Sequence, residues 1–419
     1  MSELLNLDLA ANRQVVPVID QPQLIYLLIQ LTPGQAIAAR RLPLNFTLLL
    51  DHSGSMAGDK LRTMKEAVKN IIDQLEPQDV LSIVTFESRT RVLTAAQPVA
   101  ARDEIKRQVD QIREAGGTNM ANGLREALTQ ARAFHGEGRV SRIVLLTDGE
   151  ATDKEDDSRR LADQAGALGI PITGLGFGRD WNEDFLIDLA DRSVLADPGS
   201  HSGLADYIPL PKDAVRIFQD VYQSMQVVAE QVSLTLRMVQ GLEVRRVWQA
   251  APLIRDLGRG VIQGRAIVVP AGQLELSGAA YLAEILLPPR PEGPVRIAQA
   301  EVTFAHPELG QQRASADLIV HYAPEPVSAP LDQHVMNIIE KVQAFRLQTQ
   351  ALQEAQQGNI DGATRKLRQA VTILLNQGEP ELAITMQHEA DRLEQSGELS
   401  GEGKKTILLT SRKTVRLSE

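Results

Sequence analysis

The 419-residue sequence contains no cysteine, which excludes disulfide bonds, thiolate metal ligands and cysteine nucleophiles. Aromatic residues make up only 4% of the chain, so we expect its cores to consist mainly of Leu, Ile, Val and Ala. No apolar run approaches the roughly 20 residues of a transmembrane helix, which argues against membrane insertion.

A concentrated basic face is lacking as well. The formal net charge is −10, and nucleic acid is not an expected partner, because phosphate binding needs clustered Lys and Arg side chains. Residues 401–419 hold the one basic concentration, which we expect to be a flexible tail or an edge strand. The first residues do not resemble a secretory signal. Together with the absent cysteine, this predicts a cytoplasmic protein.

Short strands alternate with amphipathic helices over residues 43–228. The predicted strands are 45–50, 80–86, 142–147 and 171–177, and the predicted helices are 59–75, 102–114, 121–135, 156–168, 182–190 and 212–229. Most of these strands are almost continuously apolar, as expected for a parallel sheet buried on both faces. The alternation predicts an open, doubly wound α/β domain that binds ligands at the carboxyl ends of its strands.

The rest of the chain follows two other patterns. From residue 232 onward the apolar residues alternate, which predicts an antiparallel β-sandwich with strands at 232–238, 243–249, 261–269, 279–287, 295–304 and 312–322. An early strand at 23–32 is expected to complete this sandwich. Helical patterns follow a proline-containing linker, at 331–356, 360–376 and 380–395. The predicted units are 1–42 (N-terminal strands), 43–228 (α/β domain), 229–325 (β-sandwich), 326–400 (helical hairpin or bundle) and 401–419 (basic tail).

Three motifs fall at strand ends or helix starts of the α/β domain. Asp51-His52-Ser53-Gly54-Ser55 follows the first strand, Gly116-Gly117-Thr118-Asn119 precedes a helix, and Thr147-Asp148-Gly149 ends a later strand. Because parallel strands end at one edge of the sheet, oxygens from these segments can converge there. The candidate metal ligands are Asp51, Ser53, Ser55, Thr118 and Asp148.

The chemistry of this set suits Mg²⁺, which prefers oxygen ligands and retains several waters. Hydroxyl groups are neutral, so a cation held by few carboxylates remains short of negative charge. Such an ion should bind an incoming Asp or Glu strongly.

The three motifs, in this order, resemble the von Willebrand factor type A (VWA) family with its metal-ion-dependent adhesion site. The resemblance implies a Rossmann-like fold, a bound Mg²⁺ (Mn²⁺ or Ca²⁺ as alternatives) and a protein ligand whose acidic side chain completes the coordination. The β-sandwich and helices that follow resemble bacterial members with an inter-alpha-trypsin-inhibitor-like arrangement. Some bacterial members act beside MoxR-type AAA+ ATPases, which suggests such an ATPase as a partner.

Helix capping is the alternative explanation for these polar residues. Ser and Asp favour N-cap positions, so the Asp51–Ser55 segment and Thr118 are also candidates for capping the helices that follow them. Asp148 is likewise a candidate for a turn with Gly149. The presence of all three motifs together favours the metal site.

Two glycine-rich segments do not fit nucleotide-binding motifs. The segment from Gly54 to Lys60 has glycines one residue too close for a phosphate loop, and Leu61 replaces the required Ser or Thr. The segment Gly174–Gly178 lacks the last glycine of a dinucleotide fingerprint and is interpreted as a turn.

The sequence therefore predicts a non-enzymatic adaptor, because no nucleophile–base pair accompanies the metal ligands. One alternative is a scaffold that acts mainly through its helical segment. A metal-dependent hydrolase is the least favoured hypothesis, because it requires a general base beyond the coordinating acids.

Overall fold

The computed structural model describes residues 4–136, 138–149, 155–178, 181–194, 204–324 and 330–410. The N-terminal segment contributes three strands and one short helix: β1 (Leu5–Ala11), β2 (Val15–Pro17), β3 (Gln23–Pro33) and α1 (Gln35–Ala38). Strand β3 pairs with β1 on one side, and its apolar residues from Ile25 to Leu31, apart from Tyr26, are buried. Strands β1 and β3, which precede the α/β domain in the sequence, therefore belong to a separate sheet.

The α/β domain follows. Its elements are β4 (Leu44–Asp51), α2 (Asp59–Gln74), β5 (Val80–Phe86), β6 (Thr90–Pro98), α3 (Arg102–Asp110), α4 (Met120–Arg132), β7 (Val140–Thr147), α5 (Glu155–Ala167), β8 (Ile172–Phe177), α6 (Glu183–Arg192), β9 (Leu204–Ile208) and α7 (Ala214–Ser224). The sheet order is β6-β5-β4-β7-β8-β9, with β6 antiparallel and the others parallel. Helices α2, α3 and α7 cover one face, and α4, α5 and α6 cover the other. The predicted doubly wound fold class is confirmed.

Three details of this domain differ from the prediction. Strands β6 and β9 were not expected; β6 is a partly exposed edge strand without a continuous apolar run. The helix predicted at 212–229 is wrong at its end, because α7 stops at Ser224. Val227 and Val228 are β-branched and start a strand that belongs to a different sheet, in the β-rich region after this domain. The turn predicted at Gly174–Gly178 is wrong for Gly174 and Gly176, which lie inside β8. The Trp181 ring leaves no room for a Cβ atom at Gly176, and a Cβ atom at Gly174 would be in tight contact with Leu186.

The β-rich region forms two sheets that pack face to face. Its strands are β10 (Val227–Met238), β11 (Glu243–Ala251), β12 (Arg255–Asp256), β13 (Val261–Gln263), β14 (Ala266–Glu275), β15 (Ala279–Leu287), β16 (Gly293–His306) and β17 (Gly310–Ala323). The sheet orders are β1-β3-β15-β11-β12 and β13-β14-β10-β16-β17-β2, and one apolar core lies between them. The strand predicted at 261–269 is wrong: Gly264 adopts a positive φ of 63° and divides it into the β13–β14 hairpin.

The C-terminal region is helical. Its elements are α8 (Gln333–Gln356), α9 (Ile360–Asn376), α10 (Pro380–Ser396) and α11 (Gly401–Lys405), followed by one π-helical turn (Thr406–Thr410). Helices α8, α9 and α10 share a core, and the first half of α8 packs on the outer face of the five-stranded sheet. Among the described residues, no helix is long and apolar enough to cross a lipid bilayer.

The expectation of a flexible tail or an edge strand is wrong for residues 401–410. Ser400 caps α11, and the carboxylate of Glu389 accepts hydrogen bonds from Ser400. The side chains of Lys405 and Leu409 are buried against the α/β domain. Residues 411–419 lie outside the described residues.

Candidate metal centre

The two acidic residues of the site lie at the ends of adjacent strands. Asp51 is the last residue of β4, and Asp148 directly follows β7, which pairs with β4 in parallel. Their exposed fractions are 0% and 2%, so both carboxylates are shielded from bulk water. Buried carboxylates are costly unless they are hydrogen-bonded or paired with a cation.

Asp51 is supported by neutral groups. Its Oδ1 accepts a hydrogen bond from the Ser53 backbone N–H at 2.8 Å, and its Oδ2 accepts one from the Thr147 hydroxyl at 2.6 Å. Burial raises the pKa of Asp51, and the negative charge of Asp148 raises it further, although these hydrogen bonds oppose the shift. The carboxylate therefore lies where a cation would stabilise it.

Two serine hydroxyls join the carboxylates. A short 3₁₀ helix, Gly54–Met56, brings the Ser53 and Ser55 Oγ atoms to 3.1 Å from each other. The Ser55 hydroxyl donates to Asp148 Oδ1 at 2.7 Å. Four of the five predicted residues thus form one hydrogen-bonded chain, which we call the carboxylate–hydroxyl chain: Asp51, Ser53, Ser55 and Asp148.

The loop that carries the fifth residue, Thr118, runs beside this chain. The Ala115 N–H donates to the His52 carbonyl at 2.9 Å, and Ala115 forms a parallel β-bridge with Ser53. Thr118 is half-buried in this loop. The structure therefore places the Thr118 segment against the Ser53 segment through the backbone.

Capping does not explain these residues. Asn119, and not Thr118, is the N-cap of α4, where its side chain accepts a hydrogen bond from the Asn122 N–H. The N-cap of α2 is Gly58, which offers no side chain. The hydroxyls of Ser53 and Ser55 are hydrogen-bonded within the carboxylate–hydroxyl chain instead.

Two further residues of the site were missed in the sequence. Thr147 supports Asp51, and Lys60 donates to Asp148 Oδ2 at 2.5 Å. Thr147 lies within the third motif, so its strand-end position was an available signal. Lys60 was considered only as part of a phosphate loop, and its pairing spans 88 residues of sequence.

His52 lies within the first motif, but its ring is hydrogen-bonded outside the carboxylate–hydroxyl chain. Its ring Nδ1 donates to the Arg113 carbonyl oxygen at 2.8 Å, which assigns the proton to that nitrogen. The imidazole therefore helps to hold the loop before Gly116.

The candidate ligand atoms fit a hard divalent cation. All are oxygen atoms, and two belong to buried carboxylates, one of which accepts hydrogen bonds from neutral groups alone within the described residues. The described part of the chain contains no cluster of three or more His, Asp or Glu side chains placed to hold a metal. A cation here would therefore depend on the serine and threonine hydroxyls as well as on the two acids.

Two family models match separate parts of the chain. The model of the von Willebrand factor type A domain matches residues 45–198. The model described as the Sll0103-like, C-terminal alpha-helical domain matches residues 333–417.

Related sequences differ in how much they share. The uncharacterized protein sll0103 of Synechocystis is 30% identical over 387 residues, which cover 88% of each chain. Inter-alpha-trypsin inhibitor heavy chain H1 of Mesocricetus auratus is 31% identical over 192 residues, 43% of this chain and 20% of that protein. The similarity to the heavy chain therefore concerns a fifth of its length.

Two solved structures match almost the whole chain. A von Willebrand factor type A protein from Catenulispora acidiphila has a TM-score of 0.71 at 18% identity, covering 99% of this chain and 98% of that one. The ArnB paralog VWA2 from Sulfolobus acidocaldarius has a TM-score of 0.53 at 15% identity, covering 97% and 98%. At such identities the similarity concerns the fold.

Proposed function

Because this chain belongs to the family of sll0103-like proteins with a von Willebrand factor type A domain, we propose that it is an adaptor that captures a partner protein through a bound Mg²⁺. VWA domains are commonly involved in metal-dependent protein interactions. In this proposal, an Asp or Glu side chain of the partner completes the coordination of the ion. The predicted cytoplasmic location and a MoxR-type AAA+ ATPase as partner are further parts of the hypothesis.

The observation that carries this proposal is the carboxylate–hydroxyl chain at the edge of the sheet. Asp51, Ser53, Ser55, Thr118 and Asp148 would hold the cation, either directly or through water. Three of these five groups are neutral hydroxyls, so an ion held here would still favour another anionic oxygen. Mn²⁺ and Ca²⁺ are the alternatives, because they also prefer oxygen ligands.

Binding is favoured over catalysis by the groups around the carboxylates. Metal-assisted hydrolysis requires a base that activates water. Within the described site, the two acids are proposed ligands, and the His52 ring is hydrogen-bonded to the Arg113 carbonyl and not to the carboxylate–hydroxyl chain, so it is not held against water bound at the carboxylates. We therefore propose that the cation serves recognition.

A calorimetric titration with Mg²⁺ tests the metal site. We expect binding to the wild-type protein and a loss of at least about 10- to 100-fold in affinity for Asp51→Ala. Asp59→Ala is a matched control, because Asp59 is an exposed acid at the start of α2 that pairs with Arg62. In Mg²⁺, the wild-type and Asp59→Ala proteins should capture the partner and Asp51→Ala should not. In EDTA, all three proteins should lose capture. Equal capture by the wild-type and Asp51→Ala proteins would exclude the proposed mechanism.

A scaffold role of the helical region is the second candidate. Leu375 on α9 and Ile384 on α10 are each 55% exposed, so both aliphatic side chains are available to contact a partner. Leu375→Glu and Ile384→Glu should abolish partner capture if this surface is the binding site. Under the leading proposal, both variants retain capture that depends on Mg²⁺.

A further inference from the structure

Lys60 holds an unusual position beside the metal centre. It is the second residue of α2, and its ammonium group lies 2.5 Å from Asp148 Oδ2. A cation is electrostatically unfavourable at a helix N-terminus, where the backbone N–H groups already concentrate positive charge. The local requirements of α2 therefore do not explain a lysine at this position, whereas the Asp148 carboxylate does.

The contact between Lys60 and Asp148 is shielded from solvent on the Asp148 side and open to solvent on the Lys60 side. The Asp148 side chain is 0% exposed, whereas the Lys60 side chain is 29% exposed. The end of the lysine stem lies beside Gly178, where a Cβ atom would be 3.5 Å from Lys60 Cε. Lys60 can therefore neutralise Asp148 and can also withdraw toward solvent.

We propose that Lys60 is a built-in competitor for the metal ion: its ammonium group neutralises Asp148 in the metal-free protein and must leave Oδ2 when a cation binds. This inference rests on the proposed metal site. Asp148 Oδ2 cannot serve the ammonium and a divalent ion fully at the same time, and the two cations repel each other at close range. Lys60 therefore lowers the affinity for the metal and stabilises the metal-free fold.

A purely structural role makes the opposite prediction. If Lys60 only holds Asp148 in the orientation that the metal needs, its removal should weaken metal binding. The sign of the change in affinity thus separates the two roles.

The test compares Lys60→Met with the wild-type protein by calorimetric Mg²⁺ titration and by thermal unfolding in Mg²⁺ and in EDTA. We expect Lys60→Met to bind Mg²⁺ at least about tenfold more tightly, which equals about 1.4 kcal/mol. Its melting temperature should be below that of the wild type in EDTA, because Asp148 is then buried without its cation. The increase in melting temperature on addition of Mg²⁺ should exceed that of the wild type.

Two further variants make the test specific. Lys69→Met removes a lysine from the same helix, where it pairs with Asp110 away from the site, and should leave Mg²⁺ affinity unchanged. Lys60→Gln retains a polar side chain and replaces Lys60→Met if that variant does not fold.

The outcomes separate this inference from the proposed function. Wild-type binding that is unchanged or weakened in Lys60→Met and Lys60→Gln would overturn the competitor role and leave the metal site standing. An absence of Mg²⁺ binding in the wild type and in both variants would overturn the metal site, and this inference with it. Binding that is detected only after Lys60 is replaced would support both.

Discussion

Single hydroxyl groups distinguish the candidate metal centre from the core around it. Thr147 and Thr173 are both fully buried, on the neighbouring strands β7 and β8. The Thr147 hydroxyl donates to Asp51, whereas within the described part of the chain the Thr173 hydroxyl has no hydrogen-bond partner. This pair of threonines therefore separates the effect of burying a hydroxyl from the effect of supporting a carboxylate.

Replacing Thr147 by valine preserves the shape of the side chain and removes the donor to Asp51. We expect the free energy of unfolding to fall by about 1–3 kcal/mol and the pKa of Asp51 to rise further. Protons should then compete with Mg²⁺ at higher pH, so that affinity measured by calorimetry falls earlier on acidification. Thr173→Val is the control and should be neutral or stabilising. Equal losses in the two variants would contradict the role assigned to Thr147.

The convergence of Asp51, Ser53, Ser55 and Asp148 could be predicted from the sequence, whereas their partners Thr147 and Lys60 could not. The spacing of Asp51, Ser53 and Ser55 within one turn is a local pattern, and their position after an apolar strand is visible without the structure. The pairings Thr147–Asp51 and Lys60–Asp148 join residues 96 and 88 positions apart. Such contacts depend on which strands become neighbours, and a single sequence does not specify this.

At the scale of elements, β8 shows how a strand adapts to a bulky neighbour. The Trp181 indole lies over Gly176, where a Cβ atom would overlap the ring, and its Nε1 donates to the Gly178 carbonyl at 3.0 Å. Gly174 similarly accommodates Leu186 of α6. Glycine in this strand therefore reflects close packing.

A methyl group at position 176 should displace the Trp181 ring. We expect Gly176→Ala to lower the free energy of unfolding by about 1–3 kcal/mol through overpacking, with a shift in tryptophan fluorescence. Gly401→Ala is the control, because a Cβ atom at the start of α11 meets no other atom within 4 Å. A fully stable Gly176→Ala protein with unchanged fluorescence would be inconsistent with this packing.

Fully buried strands were easier to predict from the sequence than partly exposed ones. Strands β4, β5 and β7 are fully buried, and their apolar runs predicted them within two residues at each end. The edge strand β6 is partly exposed and carries no such run. The boundary between α7 and β10 failed because Met225, Val227 and Val228 are all buried and fit either period.

At the scale of the whole molecule, buried charge connects the α/β domain to the sandwich. Arg142 of β7 is fully buried and donates to the Ser224 hydroxyl at 2.9 Å. Burial lowers the pKa of Arg142 to about 10, an effect that the charge of Glu275 opposes. Burial likewise raises the pKa of Glu275 to about 7, although Arg142 and Ser277 oppose the shift.

The shift at Glu275 predicts how stability depends on pH. Its pKa in the folded protein lies above the ordinary value of 4.5, so the folded state binds the additional proton. The contribution of Glu275 to stability should therefore be full below pH 4.5 and be lost as the pH rises to about 7, by about 3 kcal/mol. The free energy of unfolding, measured with urea, should decrease less steeply with rising pH over this range in Glu275→Gln than in the wild type. The exposed Glu243→Gln is the control, and an unchanged slope in both variants would contradict the assignment.

The last described residues return to the domain that the chain left at Ser224. Lys405 lies 4.8 Å from the centre of the Trp181 ring and donates to the Trp181 carbonyl, and Leu409 enters the same apolar cluster. The C-terminal helical region therefore contacts both other parts of the chain, because α8 also packs against the β-sandwich. Moving these helices away from the α/β domain would break the Lys405–Trp181 contacts and remove Leu409 from the cluster that contains Trp181, whose indole donates to the Gly178 carbonyl beside Lys60.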